Sequence, residues 1–154
     1  MTTKAYLLIA TGVFIATVTG ADLIARMTIA GEPLDVALAE HLHWALLGMA
    51  GIVFLFAPFV GVAFICGFAN RRTKTRSAVT LFVVALTVLA YFYFGGFQAS
   101  QQAVLDRKWT AAALSIGLLP FFIGLPLLAV AAIAAAVLVL IDRREPVQAA
   151  SLNG

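Results

Sequence analysis

Four long stretches of this chain carry no Asp, Glu, Lys or Arg: Ala5–Ala21, Leu42–Ala69, Ala78–Phe97 and Trp109–Ile141. An α-helix needs about 20 predominantly apolar residues to cross roughly 30 Å of hydrocarbon, and inside that layer every backbone N–H and C=O must be paired within the protein. The sequence therefore predicts an all-α integral membrane protein, a single domain over residues 1–154 with four transmembrane helices at about 5–27, 43–69, 77–98 and 113–141. Composition agrees, because 63% hydrophobic residues, 11% charged residues and a mean hydropathy of +1.05 lie outside the soluble globular range.

The charges that separate these stretches predict orientation. Arg71, Arg72, Lys74 and Arg76 fill the short connection at 70–76 and divide the chain into two hairpins. With Lys4, Arg143 and Arg144 they make seven of the ten Lys and Arg residues on one side, against Arg26, Arg107 and Lys108 on the other. Cytoplasmic loops carry the excess of basic residues, so both termini and the 70–76 turn are expected in the cytoplasm, in a bacterial-type inner membrane. The same cations are expected to meet anionic lipid. They sit at the ends of apolar runs and form no stripe, which excludes nucleic acid as a partner despite a pI near 9.4. The single cysteine, Cys66, cannot form an internal disulfide.

In chain order, Lys4 and the first apolar run fit an uncleaved helix; a signal peptide ending at Thr19-Gly20-Ala21 is the competing reading. The outer connection at about 28–42 holds Glu32, Asp35, Glu40 and His41, with Gly31-Glu32-Pro33-Leu34-Asp35 as a helix start that is expected to run straight into the second span. Pro58 predicts a kink in that span, and a second outer loop is expected at about 99–112. Trp109–Ile141 as one helix would exceed 45 Å at about 1.5 Å per residue, so Pro120, Gly124 and Pro126 are expected to bend or break it. A flexible tail is expected over 147–154. Trp44 with Ala57-Pro58-Phe59 and Trp109 with Leu119-Pro120-Phe121 also hint at a duplicated hairpin, although Trp belts and Pro kinks arise independently in membrane helices.

Signals for chemistry are sparse. Glu40, His41 and His43 are the candidate metal ligands, but on a helix the two histidines point roughly 200° apart and only Glu40 and His43 share a face. Haem between facing helices would need histidines on two spans, and both lie on one segment. Asp22 and Arg26, four residues apart, are expected to form a local ion pair near the interface. Thr80, Thr87, Tyr91 and Gln98 fall near one face of the third span and form a candidate solute path, with hydroxyls bonded to their own backbone as the simpler reading. Gly12, Ala16 and Gly20, with Ala57, Gly61, Ala63 and Gly67, form small-residue ridges that let helix backbones approach. They are expected to pack the first two spans together, or to meet another subunit.

No nucleophile–base pair, phosphate loop or metal signature is visible, so no catalytic residue or cofactor is assigned. Small-residue ridges and connections too short to form a soluble domain point to an accessory or structural subunit that packs against a membrane-protein partner or a second copy of itself. A small-solute or ion transporter is the alternative, and a metal- or haem-binding redox protein the third reading.

Overall fold

The computed structural model describes residues 2–73 and 76–151, with side chains described up to Asp142. Helix makes up 92% and no strand is found among the described residues. Four helical segments are long and apolar enough to cross a membrane: Thr3–Ala30, Met49–Arg72, Ser77–Leu105 and Trp109–Asp142.

Helix α1 (Thr3–Ala25) starts at Thr2, whose hydroxyl accepts from the Ala5 N–H at 3.3 Å. It continues as a π-helical turn over Arg26–Ala30 and stops at Gly31, which adopts the left-handed conformation at φ 71°. That conformation favours glycine, because a Cβ would crowd the neighbouring carbonyl. Pro33 then precedes α2 (Leu34–Leu47), as expected for a proline beside the first helical turn.

Helix α2 does not run straight into the second span, which corrects the sequence expectation. The α geometry breaks at Gly48 (φ −97°, ψ 23°), whose N–H bonds the Trp44 carbonyl at 2.8 Å, and α3 (Met49–Arg72) starts afresh. A Cβ on residue 48 would stand 3.0 Å from that same carbonyl, so the tight turn suits glycine. The outer connection at 28–42 is mostly helix, with α2 beginning at Leu34 within the Gly31–Asp35 helix start.

Arg71 and Arg72 close α3, where cations complement the helix dipole, and the Arg72 guanidinium lies 4.9 Å over the Phe68 ring. Arg76 immediately precedes α4 (Ser77–Leu105); Lys74 lies outside the described residues. Helix α4 extends well past residue 98, into the expected second outer loop, and the chain turns through Arg107 at φ 59° before α5 (Trp109–Gly117). After Leu118 a π-helical turn covers Pro120–Gly124, and α6 (Leu125–Ser151) follows. Regular α geometry is therefore interrupted at the Pro120–Gly124 stretch. Backbone helix covers 147–151 of the expected flexible tail, and 152–154 lie outside the described residues.

Helix α1 packs on α3 and α4, α3 also contacts α4 and α6, and α5 lies on α4. Buried Tyr6, Phe14, Leu55, Phe59, Val62, Phe82, Leu86, Leu89 and Tyr93 fill the centre. The rings meet edge to face, with centroids 4.6 Å apart for Tyr6–Phe82, 5.3 Å for Phe14–Phe59 and 5.2 Å for Phe59–Tyr93. The Tyr93 hydroxyl donates to the Leu55 carbonyl at 2.9 Å, one turn ahead of Pro58.

Close helix approach uses some of the expected small residues. A Cβ on Gly61 would come within 2.6 Å of Leu128 on α6, and one on Gly67 within 3.1 Å of Thr3 on α1; Ala63 is buried between them in sequence and Ala57 is exposed. Gly124 is seated against the Pro58 ring. The α1 ridge behaves differently. Gly12 and Ala16 are exposed, Gly20 is half-buried, and nothing lies within 4 Å of a Cβ on either glycine. Helix α1 reaches α3 and α4 through Tyr6, Ala10, Phe14, Ala21 and Ala25 instead.

Candidate functional site: a polar pocket at one end of the bundle

The end of α1 carries a polar cluster. Its hub is Asp22, 7% exposed although charged. The Arg26 Nε, one turn later on the same helix, donates to Asp22 Oδ2 at 3.0 Å. From α2, His41 Nδ1 meets the same oxygen at 2.9 Å, and its other ring nitrogen lies 3.2 Å from the Thr19 hydroxyl. From α4, the Gln101 amide donates to Asp22 Oδ1 at 3.4 Å. Arg26 Nη1 reaches on to Glu32 at 3.5 Å. Three sequence-distant elements thus converge on one carboxylate, and the Asp22, Arg26 and His41 side chains are only 11–13% exposed. A buried charge is costly unless paired and hydrogen-bonded, and each oxygen of Asp22 is.

The cluster forms one wall of a cavity of about 510 Å³. Its remaining surface is apolar, with Ile52, Leu55, Phe97 and Ile116 among the lining residues, and both tryptophans of the chain, Trp44 and Trp109, line it as well. Ser100 ties the α4 wall to α5 by donating to the Ala112 carbonyl at 3.0 Å, and Gln98 ties α4 to α1 through the Ala21 carbonyl at 3.3 Å. The pocket is thus framed by α1, α2, α3, α4 and α5. It can present both hydrogen-bond donors and acceptors to a molecule whose body stays in apolar surroundings.

The Asp22–Arg26 pair expected from the sequence is present, but as part of a larger network. Of the candidate metal ligands, only His41 enters that network. Glu40 accepts from the Trp44 indole at 3.1 Å, and the His43 ring lies edge-on to Trp44 with centroids 5.9 Å apart. Among the described residues no group of three or more His, Cys, Asp or Glu is arranged to hold a metal ion. The candidate solute-path residues are also dispersed. Thr80 and Thr87 are exposed, Thr87 bonding its own helix at Val83, and Tyr91 is 74% exposed, while Gln98 turns inward to α1. Tyr91 and Gln98 line one cavity between α4 and α5, and Thr87 lines a separate one on the α1 side of α4.

Gln101 escaped the sequence reading, and Glu32 entered it only as part of a helix start and not as a partner of Arg26. Gln98 and Gln101, three apart, mark one helical face, but that signal is invisible once 99–112 is taken as a loop.

The fold defines a chain compatible with integral membrane proteins: four long apolar helices around an aromatic core, with a polar pocket at one end. No protein-family model, curated protein or solved structure matches it.

Proposed function

We propose that the protein is an accessory or structural subunit of a membrane complex, packing against a membrane-protein partner or a second copy of itself in a bacterial-type cytoplasmic membrane, with both termini inside. The observation that carries this reading is the Gly12–Ala16 ridge. Helix α1 is committed to α3 and α4 on one side, whereas the ridge on its other side is exposed and open. Small residues on an exposed helix face allow a partner helix to approach closely enough for backbone and van der Waals contact, the interactions that drive association where lipid is as apolar as the side chains. Orientation rests on the excess of Lys and Arg at the termini and the 70–76 connection.

The ridge makes a direct test available. Because nothing lies within 4 Å of a Cβ at Gly12, Gly12→Leu combined with Ala16→Leu is expected to leave thermal unfolding in mild detergent unchanged while abolishing copurification or self-association from native membranes. A wild-type chain that is monomeric and captures nothing, or a double variant that associates as before, overturns the reading.

The transporter alternative draws support from the interrupted segment at Pro120–Gly124, since broken helices line binding sites in transporters. It is the weaker reading, because aromatic packing of Tyr6, Phe14, Phe59, Phe82 and Tyr93 fills the bundle beyond the pocket. Redox or metal chemistry has less support still, with both ring nitrogens of His41 engaged by Thr19 and Asp22.

A further inference from the structure

We infer that the pocket around Asp22 is a binding site for an uncharged, ring-headed lipid of the quinone and quinol class. Four properties of the site lead there, and none depends on what packs against α1.

The first is size. A cavity of about 510 Å³ falls within the range that holds small organic molecules, about 300–1,000 Å³. The second is the split character of its lining. One wall carries Asp22, Arg26, Glu32 and Gln101, while the rest comes from apolar residues of the long helices, so an occupant needs a polar head and an apolar remainder. A polar-headed lipid that dissolves in the bilayer meets both requirements.

The third property is charge. Two carboxylates, Asp22 and Glu32, flank one guanidinium, Arg26. Asp22 is engaged by Arg26 and His41, and Glu32 by Arg26, so the charged groups of the wall are paired with one another and a phosphate, carboxylate or amine head would have to break one of these pairs. A neutral head remains. The wall can serve it in two ways. A guanidinium has five N–H donors, and among the described residues only Nε and Nη1 of Arg26 have partners. Gln101 is held by one long bond of 3.4 Å. These groups can donate to a ring carbonyl, and the carboxylates can accept from a ring hydroxyl. His41, used on both nitrogens, is a positioning residue that orients Asp22.

The fourth is the presence of two indoles. Trp44 and Trp109 line the same cavity and suit a flat ring through offset or edge-on contact. They also supply the measurement, since the chain has no other tryptophan.

The test uses the full chain in lipid nanodiscs, with ubiquinone-1 as probe and intrinsic tryptophan fluorescence as readout. Saturable quenching is expected, with apparent affinity falling about tenfold in Gln101→Ala, equivalent to one lost hydrogen bond of about 1.4 kcal/mol. Gln101→Ala removes one long contact and is expected to fold. Arg26→Gln is expected to weaken binding further, and far-ultraviolet circular dichroism identifies a variant that has failed to fold. Dodecyl phosphate and dodecyltrimethylammonium, as anionic and cationic competitors, are expected not to displace the quinone. Quenching that rises linearly without saturation, or is identical in folded Gln101→Ala, overturns the assignment. Saturable displacement by either charged amphiphile at comparable concentration also overturns it, and shows a site for a charged head.

Discussion

Two buried tyrosines show how far a single hydroxyl depends on its neighbours. The Tyr93 hydroxyl donates to the Leu55 carbonyl at 2.9 Å, beside the point where Pro58 removes a backbone donor from α3. The Tyr6 hydroxyl is buried with no hydrogen-bond partner among the described residues. A satisfied buried hydrogen bond contributes roughly 1 kcal/mol net, whereas an unsatisfied buried group costs free energy. Tyr93→Phe is therefore expected to destabilise the fold by about 1–2 kcal/mol and Tyr6→Phe to be neutral or stabilising. Thermal unfolding in one detergent checks both, and equal losses for the two variants would contradict the distinction. From sequence the two residues look alike, each a tyrosine inside an apolar run. The same limit hid the Asp22 hub: Asp22 and Arg26 are visible as a pair four residues apart, but His41 and Gln101 arrive from α2 and α4. Local spacing cannot show which distant side chain fills the remaining positions on a carboxylate.

At the level of elements, glycines divide into those that admit a neighbour and those that face open space. Gly124 is pressed against the ring of Pro58, which cannot rotate away, whereas Gly12 has nothing within 4 Å. Gly124→Ala is expected to cost roughly 1–3 kcal/mol through overpacking where the Pro120–Gly124 turn meets Pro58 of α3, and Gly12→Ala to leave stability nearly unchanged. Denaturation of the two variants side by side is the measurement, and a larger loss for Gly12→Ala would invert the packing described here. Spacing in sequence cannot make this division, because Gly12, Ala16 and Gly20 repeat as regularly as Ala57–Gly61 and Ala63–Gly67. Helix boundaries show a related gap. The Gly48 break and the extension of α4 to Leu105 depend on backbone turns and tertiary support, and hydropathy registers neither. Pro120, which lacks the N–H that an α-helix requires, stands at the start of the π-helical turn over Pro120–Gly124.

For the whole molecule, the division into four apolar helices was legible from the charge-free runs alone. The basic connection belongs to this scale. Replacing Arg71, Arg72, Lys74 and Arg76 together with Gln is expected to disturb insertion or invert part of the topology, as read by reporter fusions at Thr73 and at the C-terminus. Unchanged reporter signals would show that the remaining cations suffice to orient the chain. Length, hydropathy and the positions of charge determined the number of long apolar helices and the polar connections between them, because a bilayer accepts only segments that satisfy their own backbone. Tertiary structure decided which face of each helix turns inward and which polar residues meet. Lipid and protein interior are equally apolar, so Leu8 and Ile15 point outward while Ala10 and Phe14 point inward with no difference in polarity to announce it. What selects the inner face is shape: rings that interlock around Phe59, glycines that admit Leu128 and Pro58, and one carboxylate that gathers donors from three elements.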